Sequence, residues 1–258
     1  MFLELNSFLD LDDAPSADKL IFVSSTDLPD HGFVLNHLLM LYLKTARKVF
    51  QVNLANQEAF YSNTCQRLGI RLKMYCEKKA YFNFDCMRLL KEYISGPASN
   101  TAHPFAFVCQ RKEDRNLNIL AAEIVSRILD FQGENPREVL VMVDDLSILQ
   151  TLGVSKSDII KFLQLLRTKT SARLVVGAKW LEDDRDTHQL CCYLAHLANV
   201  RISVRWLPTG YSSDIHGQIS VTRRNERLIE KSKKMHFRLE EKGVKLYPVG
   251  LHKVPMKI

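Results

Sequence analysis

Two adjacent carboxylates, Asp144 and Asp145, directly follow the apolar segment VLVMV at residues 139–143. An apolar run without polar alternation is typical of a strand that is buried on both faces of a parallel sheet. Ligands gather at the carboxyl ends of such strands, and enzymes that hydrolyse nucleoside triphosphates place a Mg²⁺-binding acid there. The position of the two acids therefore raises the hypothesis of a nucleotide site.

The loop after the first predicted strand argues against that hypothesis. A phosphate-binding loop, G-x-x-x-x-G-K-[ST], surrounds the phosphates with backbone N–H groups, neutralises them with its lysine and holds Mg²⁺ with its hydroxyl group. Residues 24–32, SSTDLPDHG, contain one glycine, Gly32, and no lysine, and Asp27 and Asp30 would repel phosphate. We therefore predict no catalytic residue, no cofactor and no metal site.

Without a lysine-bearing loop, the two acids after the apolar run lose their metal-bound partner. Structural ion pairs produce patterns that resemble those of active sites. We interpret Asp144 and Asp145 as caps of the strand end and the following turn, or as residues that face a neighbouring subunit. The alternative hypothesis is an ATPase that uses an unusual loop and places one of these acids on Mg²⁺.

A second set of polar residues, His188, Cys192 and His196, is spaced four residues apart and shares one face of a predicted helix. Proteins bind Zn²⁺ with such side chains. At about 1.5 Å of rise per residue the three positions span about 12 Å, which is too far for one ion. We interpret the segment as a packed helix.

Apolar patterning predicts alternating strands and helices as far as residue 197. Strands are predicted at residues 20–23, 48–54, 71–76, 139–143 and 174–176, and helices at 33–43, 58–68, 117–129, 155–169 and 187–197. Residues 1–11 fit a short helix or strand, and residues 81–115 show no clear pattern. The alternation predicts an α/β fold with a mostly parallel sheet and helices on both faces. After Val200, short strands separated by turn residues predict antiparallel hairpins that extend one edge of the sheet.

The positive charge is concentrated at the end of the chain. The formal net charge is +7, and residues 223–258 hold 11 Lys/Arg and 4 Asp/Glu, so this basic C-terminal edge accounts for the whole excess. Such an edge favours contact with RNA, DNA or an acidic protein face. The structural alternative is a solvated strand edge whose charges prevent pairing with other chains. The candidate contacts to an RNA backbone are Arg223, Arg224, Arg227, Lys231, Lys233 and Lys234.

A second candidate contact is the loop around Lys179, Trp180 and Arg185. Its own acids argue against nucleic acid there. They are Glu182, Asp183, Asp184 and Asp186.

The composition is ordinary for a globular protein, with 46% hydrophobic and 25% charged residues. No apolar run approaches the roughly 18 residues of a membrane span, and the N-terminal segment MFLELNSFLDLDD lacks the basic start of a signal or transit peptide. The six cysteines show no C-x-x-C pairing, which predicts a reduced, intracellular protein.

Three segments, in their order and spacing, resemble subunit six of the Elongator complex. They are MFLELN at residues 1–6, VLVMVDDLSILQTLG at 139–153 and TGYSSDIHGQISV at 209–221. The resemblance covers most of the chain and weakens at residues 81–115 and after Arg223.

The resemblance implies a single RecA-like domain, residues 1–258, that has lost its Walker A loop, with Asp144 at the position of the Walker B-like acid. Such subunits assemble with Elongator subunits four and five into a heterohexameric ring. The ring docks on the catalytic Elongator subunits, binds tRNA and supports modification of the wobble uridine. We therefore expect a non-catalytic ring subunit of the cytoplasm and nucleus, with no membrane partner. The remaining alternative is a recombinase-like paralogue that acts on DNA.

Overall fold

The computed structural model describes residues 3–10, 20–26, 30–96, 101–133, 139–207, 210, 212, 214–224, 229–241 and 243–250. The strands are β1 (Leu20–Ser25), β2 (Lys48–Asn53), β3 (Tyr81–Asp85), β4 (Val139–Val143), β5 (Arg173–Lys179), β6 (Val200–Arg205), β7 (Gly217–Arg224), β8 (Glu230–Glu240) and β9 (Gly243–Pro248). The α-helices are α1 (Leu3–Leu9), α2 (Gly32–Lys44), α3 (Glu58–Arg67), α4 (Leu72–Glu77), α5 (Cys86–Ser95), α6 (Asn118–Gln132), α7 (Ser147–Thr151), α8 (Lys156–Thr170) and α9 (Arg185–Leu197). Among these helices, none has both the length and the hydropathy needed to cross a bilayer.

These strands form one sheet in the order β3-β2-β4-β5-β1-β6-β7-β8-β9. Neighbours from β3 to β6 run parallel, and β6, β7, β8 and β9 pair antiparallel. Parallel neighbours need crossover connections, which the helices supply. The predicted mostly parallel sheet with an antiparallel C-terminal edge is confirmed.

The central strands are buried on both faces, and each face of the sheet has its own core. Because side chains alternate along a strand, Val141 and Val143 of β4 pack on one face, whereas Leu140 and Met142 pack on the other. Helices α5 to α9 cover the first face, here called the α5–α9 face, and α1 to α4 cover the second, the α1–α4 face. This double burial explains the continuous apolar run of β4 and confirms the predicted helices on both faces.

Burial becomes one-sided beyond β1. In β6, Ile202 and Val204 pack into the core of the α1–α4 face, whereas Arg201, Ser203 and Arg205 point to the other face. Helix α9 packs over β1 and β5. The α5–α9 face of β6 to β8 therefore extends past α9 and carries polar side chains.

One predicted strand, at residues 71–76, is wrong, because these residues belong to helix α4. Leu72 is buried and Tyr75 is half-buried, and both pack into the core of the α1–α4 face. A spacing of three residues is a helical repeat. The sequence RLKMYC also alternates between basic and apolar residues at its start, which is the pattern of a strand. A segment of six residues is too short to distinguish the two patterns.

The segment without a clear pattern, residues 81–115, contains β3, α5 and two short 3-10 helices, Ala106–Cys109 and Lys112–Asp114. Arg115 anchors its second half, because its guanidinium group donates hydrogen bonds to main-chain carbonyl oxygens. The acceptors are Val108 at 3.1 Å, Gln110 at 3.1 Å and Leu152 at 2.5 Å. Contacts of this kind leave no apolar periodicity in a sequence.

Candidate functional site

The carboxyl ends of β1, β4 and β5 bring the predicted site residues to one edge of the sheet, as parallel strands require. Ser25 ends β1, Asp144 follows β4 and Lys179 ends β5. The loop between β1 and α2 is described in part, and Asp27 lies outside the described residues. This edge is where a nucleotide would be expected in an open α/β sheet.

Asp144 is almost completely buried, with 1% of its surface exposed, and both of its carboxylate oxygens accept hydrogen bonds from the chain that follows β2. The main-chain donors are Leu54 N at 2.6 Å, Ala55 N at 3.2 Å and Asn56 N at 3.0 Å, and the Tyr61 hydroxyl group adds a longer contact at 3.4 Å. Burial raises the pKa of Asp144 although these amide hydrogen bonds oppose the shift. The carboxyl group thus holds the loop between β2 and α3 against the end of β4.

Asp145 caps the turn that follows β4. Its Oδ1 atom accepts hydrogen bonds from the Ser147 N–H group at 3.0 Å and the Ser147 hydroxyl group at 2.5 Å, at the start of α7. Its exposed fraction is 4%. These contacts support the interpretation of the two acids as caps, with the difference that Asp144 caps a loop remote in sequence.

His31 fills the space between the end of β1 and the start of α2. Its Nε2 atom lies 3.2 Å from the carbonyl oxygen of Asp144, and its Nδ1 atom lies 2.7 Å from the Ser25 hydroxyl oxygen. Because a carbonyl oxygen can only accept, Nε2 carries a hydrogen and donates it to Asp144, while Nδ1 and the Ser25 hydroxyl group share a hydrogen bond. Gly177 of β5 lies against the same group, since a Cβ there would be 2.0 Å from the Asp144 carbonyl oxygen and 2.6 Å from His31 Nε2.

Asp30 and Lys179 close the outer side of this edge with an ion pair of 2.5 Å. Burial acts to raise the pKa of Asp30, but the hydrogen bond from Lys179 and the charge of His31 outweigh it and lower that pKa. Burial likewise acts to lower the pKa of Lys179, and the hydrogen bond to Asp30 outweighs it and raises that pKa. The Lys179 ammonium group is therefore neutralised by Asp30, which lies in the loop between β1 and α2. This is the loop in which a phosphate-binding lysine is missing.

Within the described part of the chain, no cluster of three or more His, Cys, Asp or Glu side chains is placed to hold a metal ion. On α9, His188 Nε2 and Cys192 Sγ are 3.8 Å apart. Both residues are exposed, whereas Leu190 and Leu194 carry the packing of this helix. The segment is thus a packed helix, but the face that carries His188 and Cys192 is its outer one.

The basic residues proposed as RNA contacts do not form one patch. Successive residues of a strand point to opposite faces, and the pairing of β7 with β8 fixes which residues share a face. Arg223, Lys231 and Lys233 lie on the α1–α4 face, Arg224 and Lys234 lie on the α5–α9 face, and Arg227 lies outside the described residues.

Two of these arginines tie the edge strands to helices. Arg223 donates hydrogen bonds to the carbonyl oxygens of Leu9 and Asp10 at 2.7 and 2.6 Å, beside α1. Arg224 donates to the carbonyl oxygen of His196 at 2.7 Å, beside α9, and to Glu230 at 3.0 Å. Charge reversal at either arginine would therefore disturb helix packing as well as any contact with RNA.

The structure adds residues that the sequence reasoning missed. Arg201 and Arg205 of β6 line a groove beside α9, together with Trp180 and Lys234. The signal was the alternation VRISVR at residues 200–205, in which every second side chain is polar. Of the loop proposed as a second contact, Trp180 reaches this groove, whereas Lys179 is paired with Asp30.

Comparison with known proteins agrees with the resemblance seen in the sequence. The family model described as Elongation complex protein 6 matches residues 2–241. The chain is similar to Elongator complex protein 6 of Danio rerio, with 28% identity over 97% of this chain and 98% of the relative. It is also similar to the proteins of that name from Rattus norvegicus, at 25% identity, and Homo sapiens, at 24% identity, with the same coverage. Since the family model spans nearly the whole sequence, this chain belongs to the Elongation complex protein 6 family.

Proposed function

We propose that this chain is a non-catalytic, RecA-like subunit of the Elongator complex. It assembles with Elongator subunits four and five into a heterohexameric ring that docks on the catalytic Elongator subunits. The ring binds tRNA and supports modification of the wobble uridine, in the cytoplasm and the nucleus. The observation that carries this proposal is the family match over residues 2–241, which supports a role in Elongator and partners among its subunits.

The carboxyl edge of the sheet supports a structural task for this subunit. The oxygens of Asp144 are engaged by main-chain N–H groups of the loop after β2, and His31 fills the space between β1 and α2. An acid that binds Mg²⁺ needs free oxygens directed toward the metal. We therefore propose that Asp144 holds the loop between β2 and α3, and we propose no catalytic residue.

The charge distribution supports contact with RNA. The excess of positive charge belongs to the C-terminal edge, and Lys231, Lys233 and Lys234 of β8 are exposed there. Such charges bind phosphate without reading base sequence, and the binding weakens as salt rises.

Cells that lack their own subunit of this family provide the test of the proposal. When this chain is expressed in them, we expect wobble-uridine modification to return, as measured by mass spectrometry of tRNA nucleosides. We also expect the chain to copurify with Elongator subunits four and five. Unmodified tRNA in cells that contain the chain in an assembled complex would contradict the proposed task. Copurification with DNA-repair proteins in place of Elongator subunits would favour the recombinase-like alternative.

ATP hydrolysis by the purified full-length chain separates the proposal from the ATPase alternative. We expect no turnover above the buffer background, because the loop after β1 offers no phosphate-binding lysine. The decisive pair of variants is Asp144→Asn and Asp183→Asn, since Asp183 is an exposed acid of the loop after β5. Turnover that only the Asp144 variant abolishes, with both variants folded, would show that the subunit is an enzyme.

A further inference from the structure

A groove lies between α9 and the part of the sheet that extends past this helix. It has a volume of about 470 Å³, and its floor is formed by β1, β6, β7 and β8. We call it the α9 groove and define it by Trp180, His188, Arg201, Arg205, Ser220 and Lys234. The one-sided burial of β6 creates it, because side chains that alternate with core residues point into it.

Three cationic side chains line the α9 groove, and two of them have no ion-pair partner within the described residues. Arg201 is paired with Glu230, whose carboxylate also binds Arg224, so these three groups hold one another. Arg205 and Lys234 are exposed, and neither forms an ion pair within the described residues. They lie on β6 and β8, two neighbours apart in the sheet and offset by two residues along the strands, so their Cα atoms are separated by roughly 12 Å.

An aromatic surface lies beside these charges. The Trp180 ring is half-buried, the Arg205 guanidinium group lies 5.5 Å from its centre, and the His188 ring lies 4.8 Å from it. A partly exposed indole held next to a cation is the arrangement on which a nucleic-acid base stacks. The bases of single strands are free to do this, whereas those of a duplex are not.

Apart from Phe22 of β1 and the paired Arg201 and Glu230, the rest of the floor is polar and uncharged. Hydroxyl groups from four strands line it, and all can donate or accept hydrogen bonds. They belong to Ser24, Ser203, Ser220, Thr222 and Ser232. Groups of this kind can bind the hydroxyl groups, base edges and phosphate oxygens of RNA, whereas an acidic peptide would use the two cations and leave the aromatic surface unused.

We propose that the α9 groove binds a single-stranded segment of RNA, with phosphates on Arg205 and Lys234 and a base stacked on Trp180. This inference rests on the proposed function, since it locates the RNA contact of the same subunit. Of the basic residues first proposed as RNA contacts, only those on the α5–α9 face are then near the bound RNA.

The strand β8 offers a matched control for the charges. Lys234 points into the α9 groove, whereas Lys233 is also exposed, lies next to it in sequence and points to the opposite face. We expect Lys234→Glu and Arg205→Glu each to weaken the binding of a fluorescent single-stranded oligouridylate to the assembled complex by about tenfold, since each removes a phosphate contact. Lys233→Glu should change the affinity by less than about twofold. Equal effects of Lys233→Glu and Lys234→Glu would overturn the assignment.

Stacking has its own test. Trp180→Leu keeps an apolar side chain but removes the ring, and the loss of one stacked base corresponds to about tenfold in affinity. A 4-thiouridine oligonucleotide, irradiated in the wild-type complex, should crosslink to Trp180 or to His188 and Cys192 on the adjacent face of α9. Crosslinks confined to the opposite face of the sheet would exclude the groove.

The mass of each variant complex separates the remaining outcomes. If a wild-type complex of full mass does not bind the oligonucleotide, the RNA-binding part of the proposed function fails. If it binds and the groove variants bind equally well, only the present inference fails. Groove variants that fold but no longer assemble would identify the groove as a subunit interface. Polyglutamate that binds as tightly as RNA, independently of Trp180, would identify a site for an acidic protein segment. Either result, loss of assembly by the groove variants or equally tight binding of polyglutamate, would overturn the inference.

Discussion

At the scale of single residues, the surroundings decide what a carboxylate does. Asp144 stands at the end of a buried parallel strand, where a metal-binding acid is expected, but its oxygens are occupied by N–H groups of the loop after β2. His31 and Ser25 complete a polar group that is satisfied from within the chain. The edge thereby keeps the geometry of a ligand-binding fold while its polar atoms bind the protein itself.

Replacement of Asp144 tests this assignment. Asp144→Ala leaves buried N–H groups of the loop after β2 without their acceptor, and we expect the free energy of unfolding to fall by about 3 kcal/mol. Asp183→Ala, at an exposed acid, should change it by less than about 0.5 kcal/mol. Urea unfolding of both variants measures the difference. An Asp144 variant as stable as the control would mean that the carboxylate does not hold the loop.

The sequence predicted where Asp144 lies but not what it binds. The apolar run before it marks a strand end. The shortest hydrogen bond that its carboxylate accepts, however, comes from the N–H group of Leu54, which is 90 positions away in the sequence. The register of β2 against β4 brings the two residues together. Register depends on the packing of whole strands, so no local pattern reveals such a partner.

We expect the free energy of unfolding to decrease in acid because of His37, a buried residue of α2. Burial lowers the pKa of this α2 residue from 6.5 to about 4, so between these values the unfolded chain binds a proton that the folded chain does not. Stability therefore falls as the pH decreases from 6.5 to about 4, by about 3 kcal/mol for this group. The variant His37→Gln should lose that part of the pH dependence in urea unfolding. Parallel curves for the variant and the parent chain would contradict the assignment.

At the scale of elements, the strength of the local pattern determined what could be predicted. The continuous run of β4 and the alternation of β6 each report how many faces of the strand are buried. The short helix α4 was predicted as a strand, because six residues allow both periods. In β8, the same alternation that marks a strand also divides its lysines between two faces, so a count of charge could not locate a binding surface.

The close approach of β5 to the end of β4 gives a test at this scale. Gly177→Ala would place a Cβ 2.0 Å from the carbonyl oxygen of Asp144, a main-chain atom that cannot move away without shifting the strand. We expect the free energy of unfolding to decrease by about 3 kcal/mol. Gly243→Ala is the matched control, because within the described part of the chain no heavy atom beyond its two sequence neighbours lies within 4 Å of the added Cβ. Equal stability of the two variants in urea would show that the approach is not as close as described.

At the scale of the whole molecule, two cores on opposite faces of the sheet make the body, and the antiparallel strands extend it past the last helix. That extension carries the basic edge and the α9 groove. The distribution of charge along the chain predicted a basic edge, whereas the face to which each of its charges points required the pairing of the strands. The polar atoms at the carboxyl edge of the sheet are bound by groups of the same chain, and the antiparallel strands carry a charged surface. Both features are consistent with a subunit of a larger complex.

The most direct test of this account is the mass of the complex formed when the full-length chain is coexpressed with Elongator subunits four and five. Native mass spectrometry should show one heterohexamer that contains all three subunits, in agreement with the proposed ring. Subunits four and five that assembled with each other while this chain, folded and present in excess, remained outside the complex would contradict the proposed ring.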